Sequence, residues 1–181
     1  TSDRYRVDLS VLFTDRPDEL PRALGTTQLD GVIIQGLEPT AECMARLKSL
    51  PHVWFMTRRS IAYSGDYVEP DNDANGAIAA DYLHSRGHRK VAVLTTAPDY
   101  SAISWRSASF CARARALGLE VETLFGRSNP GVGYLQPQPL AEELEPLVRR
   151  FLDSVPHPTG LYLPADHFCG TLFRALRQGG L

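Results

Sequence analysis

The chain has 181 residues, enough to bury a sizeable core as one domain or as two small lobes. Apolar residues make up 43% of it and charged residues 22%, as in ordinary globular proteins. The 19 basic residues are balanced by 21 acidic ones, and a formal charge of -2 excludes an extended basic surface for nucleic acid.

The cysteines and the hydropathy pattern indicate a reducing compartment. Cys43, Cys111 and Cys169 form no CxxC pair and lie in apolar helical contexts, where cysteine acts as a small hydrophobe. We therefore expect a cytoplasmic protein that is not stabilised by disulfide bonds. The sequence holds no apolar stretch long enough to span a bilayer and no leader-like N-terminus, so we expect no membrane partner.

Short apolar runs along the chain predict β-strands. The central runs, GVIIQ, VAVL and GLYL, are almost wholly apolar, which is typical of parallel strands covered on both faces. In chain order the predicted strands are Val7–Phe13, Gly31–Gln35, Val53–Thr57, Lys90–Thr96, Glu120–Phe125 and Gly160–Leu163.

Segments with helical periodicity alternate with these strands. They are Asp18–Leu24, Thr40–Leu50, Asp73–Arg86, Ser104–Leu117, Leu140–Ser154 and His167–Gln178. Repeated alternation of strand and helix predicts an α/β fold with a parallel, doubly wound sheet.

The helix predicted at Asp73–Arg86 has clear local signals. Asn72 is placed to act as its N-cap, and Gly87 is placed to end it. The apolar residues expected on one side of this helix are Ile78, Tyr82 and Leu83.

The alternation is interrupted between Thr57 and Asn72, where the sequence reads TRRSIAYSGDYVEPDN. This stretch contains a loop and a short extended piece, YVEPD, with no helix between them. We expect the chain to cross there from one lobe to another, with residues 1–70 in the first and residues 71–181 in the second.

Three segments carry motifs whose order and spacing are informative. They read LDGVIIQG at Leu29–Gly36, DNDANGAIAADYLHSRGHRKVAVLT at Asp71–Thr95, and PTGLYLPADHFCGTLFRALRQGGL at Pro158–Leu181. They resemble, in that order, the vDGiI strand, the DN..G...A..hLi..GHr.ia.i block and the ptAif..nD..A.g...al...Gl segment of the LacI/GalR family of bacterial transcription regulators. The second match is the most specific.

The resemblance implies a periplasmic-binding-protein-like fold with two Rossmann-like lobes. On this resemblance we expect the first lobe to be partial and the second incomplete, with both ends of the family domain missing from this chain. We also expect the helix-turn-helix head of the family to lie outside this chain, so that operator DNA would be contacted through a segment not in this chain. The helix at His167–Gln178 resembles an element through which family members form homodimers, and its apolar residues are Phe168, Leu172 and Phe173. Packing of this helix on its own sheet is the alternative, and different faces of the helix could serve both roles.

The function that the resemblance implies is effector sensing, without a cofactor. A small metabolite, most often a sugar or a sugar-like molecule, would bind in a cleft between the two lobes, at the carboxyl ends of the strands. A standalone solute-binding protein of a transporter shares this fold and remains an alternative. We expect no enzyme, because the sequence contains none of the motifs GxSxG, GxxxxGK[ST] or GxGxxG, and no nucleophile paired with a base.

Arg106 is the foremost candidate for a ligand contact. It follows the VAVLTT strand at the start of the next predicted helix, and RSASF matches the family's ligand-contacting R..gf. Its guanidinium presents paired planar donors that suit vicinal hydroxyls or a carboxylate. The alternative is a solvated arginine at the start of a helix.

Two further candidates follow other strands. Asp166 lies after GLYLP, where it could contact a ligand or act as an N-cap; the preceding polar contact of the family is replaced by Ala165. Thr57 ends the VWFMT strand where many members have an Asp-Arg pair, and it can bind a hydroxyl but carries no charge. Arg58 and Arg59 fit a solvated loop equally well.

Aromatic side chains near the loops after the strands could form an apolar wall for a ring-shaped ligand. They are Tyr100, Trp105, Phe125 and Tyr134, of which Tyr100 and Trp105 are the preferred pair. Each could equally belong to the core.

The segment that begins at Asp71 imitates the start of a calcium loop, D-x-D-x-N-G. The twelfth position, which needs a bidentate carboxylate, is Tyr82, so we expect no metal site. Asp71 is instead expected at the crossover between the lobes, where it would be structural first and would line the cleft second.

Overall fold

The computed structural model describes residues 8–12, 18–20, 24, 29–35, 40–47, 49–56, 65–127, 139–166 and 169–179. The chain divides into two compact units, Thr1–Val68 and Glu69–Leu181, here called unit 1 and unit 2. Both units are built from parallel strands and helices, which confirms the predicted α/β class.

Unit 1 contains a three-stranded parallel sheet. Its order is β1 (Val32–Ile34), β2 (His52–Phe55), β3 (Asp66–Val68), and the helix α1 (Ala41–Leu47) connects the first two strands. Trp54 in the central strand is fully buried and packs with Met44 and Leu47 of α1. Residues 44 and 47 are three positions apart and therefore share the helix face that covers the sheet.

Unit 2 contains a second three-stranded parallel sheet, in the order β5, β4, β6. The strands are β4 (Lys90–Thr95), β5 (Glu120–Phe125) and β6 (Gly160–Tyr162), and the helices are α2 (Asn72–Ser85), α3 (Ser101–Ala116), α4 (Pro139–Asp153) and α5 (Cys169–Gln178).

The central strand β4 has helices on both of its faces. Val91 and Val93 pack with residues of α2 and α3, whereas Ala92 and Leu94 pack with residues of α4 and α5. Successive side chains of a strand point to opposite faces, so a run without polar residues is what a doubly covered strand requires.

Helices α2 and α3 lie unusually close together at Gly76. A Cβ atom built at Gly76 would be 2.6 Å from the amide nitrogen of Phe110 and closer still to the carbonyl oxygen of Arg106. Ala80, one turn further along α2, is fully buried beside Phe110 in the same cluster. The small residues of α2 therefore form its contact with α3.

Two expectations about α2 were wrong. Its N-cap is Asp71, whose carboxylate accepts a hydrogen bond from Ala74 N at 2.8 Å, and Asn72 is already inside the helix. Ile78 and Tyr82, expected on the buried side, are 66% and 61% exposed. Only a helix face with small residues can approach α3 this closely. The face with Gly76 and Ala80 is therefore buried, although the apolar pattern favoured the face with Ile78 and Tyr82.

The N-terminal predictions also differ from the structure. Within the predicted strand Val7–Phe13, residues 8–12 are in no strand, and Leu9 and Val11 are 76% and 67% exposed. A β-strand forms only when it can pair with a neighbouring strand, and the alternation of apolar and polar residues in this segment does not show whether such a neighbour exists. Within the predicted helix Asp18–Leu24, residues 18–20 are not helical.

Candidate functional site

The carboxyl ends of the strands in unit 2 define one edge of its sheet. Strands β4, β5 and β6 run parallel, so the segments that follow them, residues 96–100, 126–127 and 163–166, begin at the same edge. Open α/β sheets bind their ligands at this edge, because the connecting loops and helix starts converge there. We refer to it as the carboxyl edge.

Arg106 is held at the carboxyl edge by two other elements. Its Nε donates to Asn72 Oδ1 of α2 at 2.8 Å, and its Nη1 donates to the carbonyl oxygen of Pro164, after β6, at 2.9 Å. The side chain is half-buried. Helix α3 begins at Ser101, three residues earlier than predicted, so Arg106 lies in the second turn and not the first.

Both acceptors of Arg106 are neutral oxygen atoms, one from a carboxamide and one from a peptide group. These bonds use Nε and Nη1, and Nη2 takes part in neither. A guanidinium has five N–H donors in a fixed plane, so a group whose plane is set in this way can still offer donors to a ligand.

Tyr162, the last residue of β6, adjoins this arginine. Its hydroxyl donates to Asn75 Oδ1 at 2.7 Å, and its ring stacks on Phe110 with the centroids 4.5 Å apart. Burial raises the pKa of the Tyr162 phenol to about 12, and the positive charge of Arg106 opposes part of this rise. The phenol is therefore a neutral hydrogen-bond donor at physiological pH.

Asp71 lies at the start of α2, next to Asn72. Its Oδ1 caps the helix by accepting from Ala74 N, and the residue is exposed. A carboxylate at a helix N-terminus also interacts favourably with the helix dipole. The structure thus gives Asp71 a structural contact at the carboxyl edge.

Asp166 follows β6 and is exposed. Its carbonyl oxygen accepts from Cys169 N at 2.9 Å, at the beginning of α5. The pKa of the Cys169 thiol is raised above its usual value, mainly by burial and secondly by the negative charge of the Asp166 carboxylate. The carboxylate therefore lies close to the first residue of α5.

The aromatic candidates occupy different positions around α3 and β5. Tyr100 is the N-cap residue of α3 and is half-buried, and Trp105 lies on the same helix with 40% of its surface exposed. Phe125 ends β5 and is 38% exposed. Tyr134, Thr57, Arg58 and Arg59 lie outside the described residues.

Sequence reasoning missed the two asparagines that contact Arg106 and Tyr162. Residues 72, 75 and 76 have spacings of three and four, so Asn72, Asn75 and Gly76 share one face of α2. Since Gly76 marks the close contact with α3, this face was the signal that could have identified both asparagines as partners of α3 and β6.

The described ranges also bear on metal binding, on membrane insertion and on cavities away from the carboxyl edge. In these ranges no group of three or more histidine, cysteine, aspartate or glutamate side chains could hold a metal ion. No helix there is both long and apolar enough to cross a membrane. A cavity of about 600 Å³ in unit 1 is lined by the amino ends of β1 and β2, at the edge opposite their carboxyl ends.

Comparison with known sequences gives no match, either to a family model or to a curated protein. Comparison of the fold with solved structures does give matches. One is a periplasmic binding protein/LacI transcriptional regulator from Alkaliphilus metalliredigens QYMF complexed with D-xylulofuranose, with a TM-score of 0.66 and 22% identity over 84% of this chain and 52% of the other.

Two further structures have the same fold. A LacI transcriptional regulator from a Rhodococcus species matches with a TM-score of 0.68 and 20% identity, over 88% of this chain and 56% of the other. The Cra transcriptional dual regulator from Pseudomonas putida, in complex with fructose 1-phosphate, matches with a TM-score of 0.61 and 21% identity, over 82% and 53%.

These likenesses identify the fold. It is the periplasmic-binding-protein-like α/β fold of LacI-family regulators, as the sequence resemblance implied. The chain spans about half the length of the solved structures that it matches, 52% to 56% of these three.

Proposed function

We propose that this chain is the effector-sensing part of a LacI-type transcription regulator, and that it binds a small metabolite, a sugar or a sugar-like molecule, without catalysing a reaction. Two of the solved structures with this fold were determined in complex with D-xylulofuranose and with fructose 1-phosphate. The observation that carries the proposal is the arginine fixed at the carboxyl edge of unit 2.

Arg106 would anchor the effector. Its guanidinium is half-buried and oriented by two bonds, so binding would order little of its side chain. Vicinal hydroxyls, a carboxylate or a phosphate can each accept paired hydrogen bonds from such a group. Around it, Asp166 and Asp71 would supply acceptors for hydroxyl groups, and Tyr100 and Trp105 an aromatic wall.

Regulation would require the effector to distinguish two conformations of the protein. A ligand that binds both equally well shifts neither population, whatever its affinity. We propose that the chain acts as a homodimer in the cytoplasm and contacts operator DNA through a segment outside this sequence. Effector binding would change the affinity of that segment for DNA.

A thermal-shift screen of the chain against sugars, sugar phosphates and nucleosides tests this proposal, with D-xylulose and fructose 1-phosphate included. A compound that binds the folded chain raises its melting temperature by mass action. Titration calorimetry then gives the affinity of that compound for the native chain and for the Arg106→Ala variant. Loss of charge-assisted hydrogen bonds is expected to weaken binding by roughly 10- to 100-fold.

Arg113→Ala is the matched control, because Arg113 lies on the same helix and pairs with exposed Asp81 at 2.8 Å. We expect this variant to bind as the native chain does. Arg106→Ala that is folded and binds with unchanged affinity would refute the assignment of Arg106, and a screen without any binder would count against effector sensing.

A further inference from the structure

We propose that Asn72 is a positioning residue for Arg106: its carboxamide oxygen holds the guanidinium in the orientation in which it faces the carboxyl edge. This rests on the proposed function only in taking Arg106 as the anchor of the effector. The orientation itself is a property of the chain and can be tested without any ligand.

The contact between these two residues is buried on the side of Asn72. Asn72 is 7% exposed, and its Oδ1 lies 2.8 Å from Arg106 Nε. A buried carboxamide requires hydrogen-bond partners, and a bond to a charged donor is stronger than one between neutral groups. The pair therefore stabilises one rotamer of each side chain.

Two bonds from different elements fix the plane of the guanidinium. Asn72 binds Nε, and the carbonyl oxygen of Pro164 binds Nη1. The Pro164 bond alone would leave the group free to turn about that contact. A flexible arginine loses up to ~2 kcal/mol of rotamer freedom when it is ordered, so orienting it before binding favours the complex.

The local structure of α2 makes Asn72 available for this role. Asp71 already caps the helix, so the carboxamide of Asn72 is not used as a cap. Gly76, one turn further along the same face, lets α2 approach the backbone of α3 at Arg106 and Phe110. The close helix contact brings the first turn of α2 within reach of the arginine.

Asn75 provides a matched control on the same face of α2. Its Oδ1 accepts from the Tyr162 hydroxyl at 2.7 Å and makes no bond to Arg106. Asn75→Ala therefore removes a side-chain bond between α2 and β6 while leaving the arginine contact intact. Any general loosening of α2 would affect both variants, whereas the bond to Arg106 Nε is lost only when Asn72 is replaced.

The test is nuclear magnetic resonance of the chain with ¹⁵N-labelled arginine, in which the Arg106 Nε–H signal is assigned by its loss in Arg106→Lys. In the native chain this proton should exchange with solvent about tenfold or more slowly than that of Arg149, which is exposed. Asn72→Ala should raise its exchange to nearly that of Arg149. Asn72→Asp retains an acceptor oxygen and should keep exchange slow, and Asn75→Ala should leave it unchanged.

Three results would overturn the proposal. They are fast exchange of Arg106 Nε–H in the native chain, slow exchange in folded Asn72→Ala, and equal acceleration in Asn75→Ala. If Asn72→Ala does not fold, fast exchange of Arg106 Nε–H in the native chain or in Asn72→Asp would still overturn the proposal. Failure of the effector screen would leave these exchange rates as they are, so the two proposals can fail separately.

Discussion

Gly76 of α2 lies against the backbone of Phe110 in α3, and a Cβ atom at Gly76 would be only 2.6 Å from the Phe110 amide nitrogen. The obstructing atoms belong to the helix backbone, which cannot move aside as the end of a flexible side chain can. Glycine at this position therefore sets the distance between the two helices. The bond from Arg106 of α3 to Asn72 of α2 depends on that distance.

We predict that Gly76→Ala destabilises the chain although alanine favours helix formation. Overpacking costs about 1–3 kcal/mol, and the gain in helix propensity of about 1 kcal/mol offsets only part of it. Urea unfolding followed by circular dichroism measures the difference. Gly170→Ala in α5 is the control, since a Cβ atom there would meet nothing within 4 Å. Equal effects of the two substitutions would contradict the close contact.

The pKa of Tyr162 predicts a loss of stability at alkaline pH. The phenol has a pKa of about 12 in the folded chain, which burial raises against the opposing charge of Arg106. An unfolded tyrosine has a pKa of about 10, so the unfolded chain releases this proton first as the pH rises. The contribution of neutral Tyr162 is therefore complete below about pH 10 and is lost as the pH passes about 12.

Spectrophotometric titration of tyrosinate tests this behaviour. Tyr162→Phe should remove one late-titrating phenol from the native curve, and it should lower stability at neutral pH by about 1 kcal/mol through the lost bond to Asn75. Arg106→Ala removes the charge that lowers the Tyr162 pKa, so this pKa should rise further. A native curve in which all tyrosines titrate together near the ordinary value would show that Tyr162 is not buried as described.

Much of the fold of unit 2 could be predicted because its signals are local. The apolar run KVAVLT specifies a strand covered on both faces, and β4 is confirmed at Lys90–Thr95. Gly87 was predicted to end a helix, and it follows the C-cap of α2 with a φ of 87°. Such a left-handed conformation is the ordinary reason for glycine at this position.

The contacts of the site could not be read from the sequence in the same way, because they depend on elements far apart in the chain. The pattern of α2 suggested that Ile78 and Tyr82 face the core, whereas the approach of α3 selects the face with Gly76 and Ala80. Asn72 was assigned as a helix cap since it has a suitable side chain at a suitable place. Its contact with Arg106, 34 residues away, appears only when both helices are packed.

Asp71 has two possible contributions at the carboxyl edge, and a pair of variants separates them. The carboxylate caps α2 at 2.8 Å from Ala74 N, so Asp71→Ala should lower stability by about 0.5–2 kcal/mol in urea unfolding. Asp71→Asn keeps an acceptor for the cap and should retain most of that stability. It removes the negative charge and replaces the second carboxylate oxygen by an amide donor, so its effect on effector affinity reports on the part of the carboxylate that the cap does not use. If Asp71→Asn is as unstable as Asp71→Ala, the cap is not the source of the loss; if it is stable but binds the effector more weakly, the carboxylate belongs to the ligand site as well as to the helix.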